Sequence, residues 1–81
     1  MPSDYAAFDV MIDNDDGTTT PLVSETISVY DVTNDAPLAD TASDSDGIVP
    51  GDTVAVDVGT LLRFSFSRAD GICGFSEVLT T

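Results

Sequence analysis

TVAVDVGTLLRFSFS, residues 53–67, is the one stretch in which two well-patterned apolar runs meet across a short turn. Val54, Val56 and Val58 alternate with Ala55 and Asp57; Gly59-Thr60 interrupts; Leu62, Phe64 and Phe66 then alternate with Arg63, Ser65 and Ser67. Successive side chains of an extended chain point to opposite faces. Two period-two runs separated by glycine therefore predict a β-hairpin with one apolar and one polar face. This hairpin is expected to form the centre of the core, with Arg63 on its outer face.

Outward from it, the same pattern recurs. Phe8, Val10 and Ile12 share one face of a strand over Tyr5–Asp13, which turns at Asn14-Asp-Asp-Gly17 and returns through Thr18–Thr20 until Pro21, which has no N–H to donate. ETISVYDV, residues 25–32, places Ile27 and Val29 on one face and Tyr30 on the other. Residues 33–37 read as a loop, Leu38–Thr41 as a short strand, and residues 43–52, with Gly47, Pro50 and Gly51, as an acidic loop. Arg68-Ala-Asp-Gly71 makes a last turn before a strand over Ile72–Thr80, whose facing the pattern leaves open, because Phe75 and Leu79 share a side with Glu77 while Val78 points the other way. No helical period is sustained anywhere. About seven strands, with turns every 8 to 12 residues, predict an all-β fold, a sandwich or small barrel, and with the resemblance given below the expectation is a small antiparallel Ig-like β-sandwich spanning residues 1–81 as one domain. Its core is expected from Phe8, Val10, Ile12, Leu22, Ile27, Val29, Leu38, the three valines, Leu62, Phe64 and Phe66. A core of that size is marginal, so support from an oligomer, an ion or a neighbouring protein is expected.

Charge is the strongest compositional signal. Thirteen Asp and two Glu face two Arg, with no Lys and no His, for a net charge of −13. Such a chain is repelled by nucleic acid and by anionic membranes, and neither is expected as a partner. The absence of Lys, the preference for Asp over Glu and the richness in Thr, Val and Ala resemble the proteins of halophilic archaea and their viruses. In molar salt the Debye length falls to ~3 Å, which screens carboxylate repulsion while the acidic surface keeps the chain soluble. An acidic surface for solubility, or for a basic partner, is the alternative. Cys73 is the sole cysteine and reads as a small buried hydrophobe, with an interchain bridge as the alternative. Met1-Pro-Ser-Asp4 lacks the blocks of a signal peptide and no run reaches ~20 apolar residues, so synthesis in the host cytoplasm is expected.

The run from Ile27 to Gly71, ISVYDVTNDAPLADTASDSDGIVPGDTVAVDVGTLLRFSFSRADG, resembles the prealbumin-like, carboxypeptidase-regulatory-like and Cna-B-type modules. Its Ile27-Ser-Val-Tyr-Asp31 strand, Pro37-Leu38 segment, Thr41-x-x-Asp-x-Asp-Gly47 turn, valine strand, glycine and aromatic strand follow their order. The resemblance implies a prealbumin-like sandwich. The Cna-B isopeptide crosslink needs a Lys, which this chain lacks.

The residue types limit the chemistry. Without His or Lys, and with one Cys, the usual general bases and nucleophile pairs are missing, and no enzyme activity is expected. Asp13, Asp15 and Asp16 in one turn, and Asp44 and Asp46 with Asp40 in another, are hard oxygen donors of the kind calcium or magnesium takes, although neither loop fits the EF-hand register. Solvated aspartates that set turns are the alternative. No other cofactor is expected. Arg63 is expected to pair with Asp57 or with a neighbouring subunit's carboxylate, and Arg63 and Tyr30 are the candidate interface residues. Together these readings predict a non-enzymatic structural protein of a virus particle, a capsid decoration, turret, tail or fibre component of a tailed virus infecting a halophilic archaeon. It would reside in the virion and contact virion proteins and other copies of itself as a homo-oligomer. A calcium- or carbohydrate-binding module of a halophile, or an acidic adaptor or inhibitor, are the alternatives.

Overall fold

A computed structural model describes residues 2–81. In chain order its strands are β1 (Ser3–Tyr5), β2 (Phe8–Asp9), β3 (Met11–Asp13), β4 (Thr19–Pro21), β5 (Thr26–Asp31), β6 (Ala36–Pro37), β7 (Thr41–Ala42), β8 (Ile48–Val49), β9 (Asp52–Val54), β10 (Leu61–Ser67) and β11 (Cys73–Leu79). The fold is all-β and every pairing is antiparallel.

The three long strands make the main sheet, ordered β11-β10-β5, with β6 and β7 both on the outer side of β5. Leu62 and Phe64 of β10 and Ile27 and Val29 of β5 are buried, because period-two alternation sends these apolar residues to one face. Burying a side chain of this kind contributes roughly 1.5–3 kcal/mol, so these four positions carry much of the fold. Against them lies a ribbon of short strands: β1 pairs β9, β2 pairs β8 and β3 pairs β4. Tyr5 and Phe8 from this ribbon meet Phe64 edge-on, at centroid distances of 4.9 and 5.0 Å. Leu22 and Val49 complete the buried core, with Val10, Ile12, Leu38, Val54, Phe66 and Val78 packed at its margin. The molecule is elongated, 43 × 21 × 19 Å.

Three turns share one construction. In Asn14–Thr18, Asp44–Ile48 and Arg68–Ile72 the first residue's N–H bonds the fifth residue's carbonyl at 2.8–2.9 Å, and a glycine N–H bonds the first carbonyl at 3.1 Å. The glycine, at position 17, 47 or 71, has a φ of 77° to 92°, and an Asp precedes it each time. This is a type I turn closed by a glycine bulge, which matches the twist of the strands it joins. At Gly47 space is also short: a Cβ would come within 2.7 Å of the Pro21 Cβ.

The expected hairpin over residues 53–67 does not form. β9 pairs with β1, Ser3 opposite Val54, whereas β10 pairs with β5 and β11, so the two runs belong to different pairings. Residues 55–60 form an irregular crossing held by hydroxyl groups. Ser3 Oγ donates to the Val56 carbonyl at 2.9 Å, and Thr60 and Thr80 Oγ1 donate to the Asp57 carbonyl at 2.6 and 3.1 Å. These bonds replace a ladder, and Val58, expected in the core, is 66% exposed. Tyr5, Val49 and Val78 supply apolar surface instead.

Candidate functional site

The outer face of the main sheet carries the most distinctive chemistry of the molecule. Antiparallel register places Tyr30 of β5 opposite Arg63 of β10, and Arg63 opposite Glu77 of β11. One step along, Ser28, Ser65 and Phe75 form the neighbouring row. The Arg63 guanidinium bonds Glu77 Oε2 at 3.1 Å and lies 5.2 Å from the centre of the Phe75 ring. Flat, delocalised and weakly hydrated, a guanidinium can serve a carboxylate and an aromatic face together. At 45% exposure the Arg63 side chain remains wet, so the pair fixes geometry more than it stabilises the fold.

Tyr30 donates its hydroxyl to Asp35 Oδ1, and this bond to a carboxylate holds the phenol above its ordinary value of 10.0. Asp35 reaches it from the β5–β6 turn, where its φ is 55°. That turn is fixed in turn by Asp31, a buried carboxylate that accepts the Asn34 N–H and side-chain amide at 2.9 and 2.8 Å. Tyr30, Asp35, Pro37, Asp40 and Arg63 line a shallow trough beside the ion pair. The two residues singled out from sequence as interface candidates, Tyr30 and Arg63, are thus direct neighbours. Phe75 and Glu77 were not singled out. The pattern of the last strand left its facing open, and it is the register with β10 that sets both on the face of Arg63.

A second feature is an apolar cleft of about 300 Å³ between the N-terminal ribbon and the tip of the β10–β11 hairpin, lined by Phe8, Met11, Ile12, Phe66, Ile72 and Phe75 among others. Cys73, expected as a buried hydrophobe, lies at its margin and is exposed, because the odd-numbered residues of β11 face outward.

The acidic turns are built as turns. Asp16 Oδ1 accepts the Thr18 hydroxyl and N–H at 2.6 and 3.0 Å, and Asp44 Oδ1 accepts the N–H groups of Asp46 and Ile48 at 2.8 and 3.0 Å. These bonds favour the ionised form and hold both carboxyls below the ordinary 3.8. Asp70 accepts the Ile72 N–H in the third turn at 3.2 Å. A side chain one methylene longer would overshoot these contacts, which gives a local reason for Asp over Glu. Asp13, Asp15 and Asp46 are exposed, and among the described residues no three His, Cys, Asp or Glu side chains converge on a point where a cation would sit.

No family model matches the chain, and no curated protein or solved structure matches it either.

Proposed function

We propose that the protein is a non-enzymatic structural component of a virus particle, of a virus infecting a halophilic archaeon, and that it works by surface contact through the outer face of its main sheet. The observation that supports this reading is the Tyr30–Arg63–Glu77–Phe75 constellation, an aromatic and ion-paired platform within a molecule of net charge −13. Aromatic residues and Arg are enriched in the parts of interfaces that contribute most to binding. Molar salt removes long-range charge steering, so affinity in that medium comes from buried apolar area and hydrogen bonds, which this face offers. A β-sandwich in the prealbumin-like manner, with the ribbon of short strands as its second layer, is the architecture we assign to it.

Immunogold labelling of particles released from an infected halophilic host tests the reading. Label on particles, and its loss with Arg63→Ala under conditions where the circular dichroism spectrum is unchanged, is the expected result. Label confined to free protein, or a fold that collapses along with the contact in Arg63→Ala, contradicts it. A salt titration separates the halophilic origin: the fold should strengthen toward molar salt, and indifference to salt counts against that origin.

A further inference from the structure

The two edges of the main sheet differ. On one, β6 carries Pro37, and the stretch from Ala36 to Thr41 advances five residues while β5 retreats four, from Asp31 to Ile27. The extra residue makes a bulge in the segment that holds Asp40. Proline, a bulge and a charge are the usual guards of an exposed edge. β11, on the other edge, reads Cys-Gly-Phe-Ser-Glu-Val-Leu, without Pro or bulge and with its one charge, Glu77, neutralised by Arg63, and pairs residue for residue with β10. Arg68 N–H bonds the Ile72 carbonyl at 2.8 Å and Thr80 N–H bonds the Thr60 carbonyl at 3.0 Å, which assigns the even-numbered residues to the β10 side. The N–H and C=O groups of Cys73, Phe75, Glu77 and Leu79 therefore point away from the sheet. Their side chains face outward as well, with Phe75 67% and Leu79 60% exposed.

Charge singles out the same place. Residues 1–57 hold thirteen carboxylates and no cation, whereas residues 58–81 hold Arg63, Arg68, Asp70 and Glu77 and sum to zero. Both arginines are paired within this segment, Arg63 with Glu77 at 3.1 Å and Arg68 with Asp70 at 3.2 Å. Two copies of the chain repel each other over most of their surface, and the β10–β11 hairpin is where they meet without bringing unpaired like charges together. A basic partner would be drawn to the acidic remainder instead.

We propose that β11 pairs antiparallel with β11 of a second copy, joining two main sheets across a twofold axis at Phe75. The parity of the free backbone groups allows only odd-to-odd registers. The one centred on Glu77 opposes two carboxylates. The one centred on Ser76 drives Gly71 of the second copy onto Thr81, whose outer edge is already taken by Asp4 through bonds of 2.8 and 2.9 Å. Centring on Phe75 avoids both and keeps more of Cys73–Leu79 paired than centring on Gly74, Cys73 or Val78; it sets the two Phe75 rings side by side and places Cys73 opposite Glu77 of the other copy. The inference deepens the assembly reading above and rests on it for its purpose; the contact itself needs only two copies.

Sedimentation equilibrium of the full chain, over a concentration series in molar salt and at about 0.1 M, reads the association directly. A dimer that tightens with salt is expected. Phe75→Glu, which sets two carboxylates at the axis, should weaken it at least about tenfold. Val23→Glu, at an exposed apolar residue elsewhere, should leave it unchanged. Glu77→Cys should yield an oxidised dimer through Cys73 of the other copy, since the two positions within one strand lie roughly 13 Å apart, beyond disulfide reach. A monomer at every concentration in molar salt overturns the proposal; so does a dimer indifferent to Phe75→Glu or one that fails to crosslink. A dimer with these properties that never labels particles upholds this inference while removing the proposed function, so the two fail separately.

Discussion

The hairpins β3–β4 and β10–β11 are closed by the same five-residue turn, with Asp then Gly at its third and fourth positions, yet they are different objects. The first joins strands of three residues, with Ile12 as its only side chain turned to the core margin. The second joins strands of seven residues, with Leu62 and Phe64 buried, and pairs β5 on its other side. Turn chemistry is thus local and repeatable, while strand length follows from whether an alternating apolar face finds something to cover it. Charge divides along the same line. Asp13, Asp15 and Asp16 crowd the first hairpin with no cation, whereas the second is neutral. The hairpin of local closure carries uncompensated charge, whereas the one that builds the sheet pairs its charges off.

The comparison breaks first in the core. Phe64→Ala, which removes the ring shared by Tyr5 and Phe8, should cost about 3–5 kcal/mol, enough to unfold a marginal domain, and Ile12→Ala in the short hairpin no more than about 2 kcal/mol. Chemical denaturation in molar salt measures both, and equal losses would erase the distinction between the two hairpins. The turns sharpen it next. Gly17→Ala meets open space and should cost about 1–2 kcal/mol for its positive φ alone, while Gly47→Ala adds a clash with Pro21 and should cost more.

The aspartate caps follow in size. Backbone N–H groups hold the Asp44 carboxyl below 3.8, so its contribution is complete above that pH and is lost as pH falls through the lower folded-state value. Asp44→Ala should therefore lower the melting temperature at pH 7, with the difference from the parent chain vanishing in acid. A difference that persists unchanged at low pH would mean that the cap does not act through its charge. Smallest of all, Val58→Ser should change stability by less than about 0.5 kcal/mol, since the side chain is two-thirds exposed.

The all-β class, the strand at residues 25–32, the three turns and the outward direction of Arg63 were legible because each depends on residues adjacent in sequence. What failed depended on partners far along the chain. The valine run from Val54 to Val58 has the period of a strand, but only Val54 finds a ladder, on Ser3, fifty-one positions away. Hydroxyls of Ser3 and Thr80, 53 and 23 positions away, then join that of nearby Thr60 in taking the carbonyls of Val56 and Asp57, and no local pattern announces the two distant ones. Cys73 was misplaced for a related reason. Between Ile72 and Gly74 it looks like a small buried hydrophobe, yet in β11 alternation turns Val78 toward the core and the odd-numbered residues, Cys73 among them, away from it. The Arg63 partner moved with the hairpin: once β10 lies beside β11, its ion pair is with Glu77.

Amide hydrogen exchange along β11, in molar salt over a concentration series, tests the central claim most directly. The amides of Gly74, Ser76 and Val78 face β10 and should be protected at every concentration. Those of Phe75 and Glu77 should exchange freely in dilute solution and become protected as the mass doubles. If they stay open while the dimer forms, or are already protected in the monomer, the free edge of β11 is not where two copies meet.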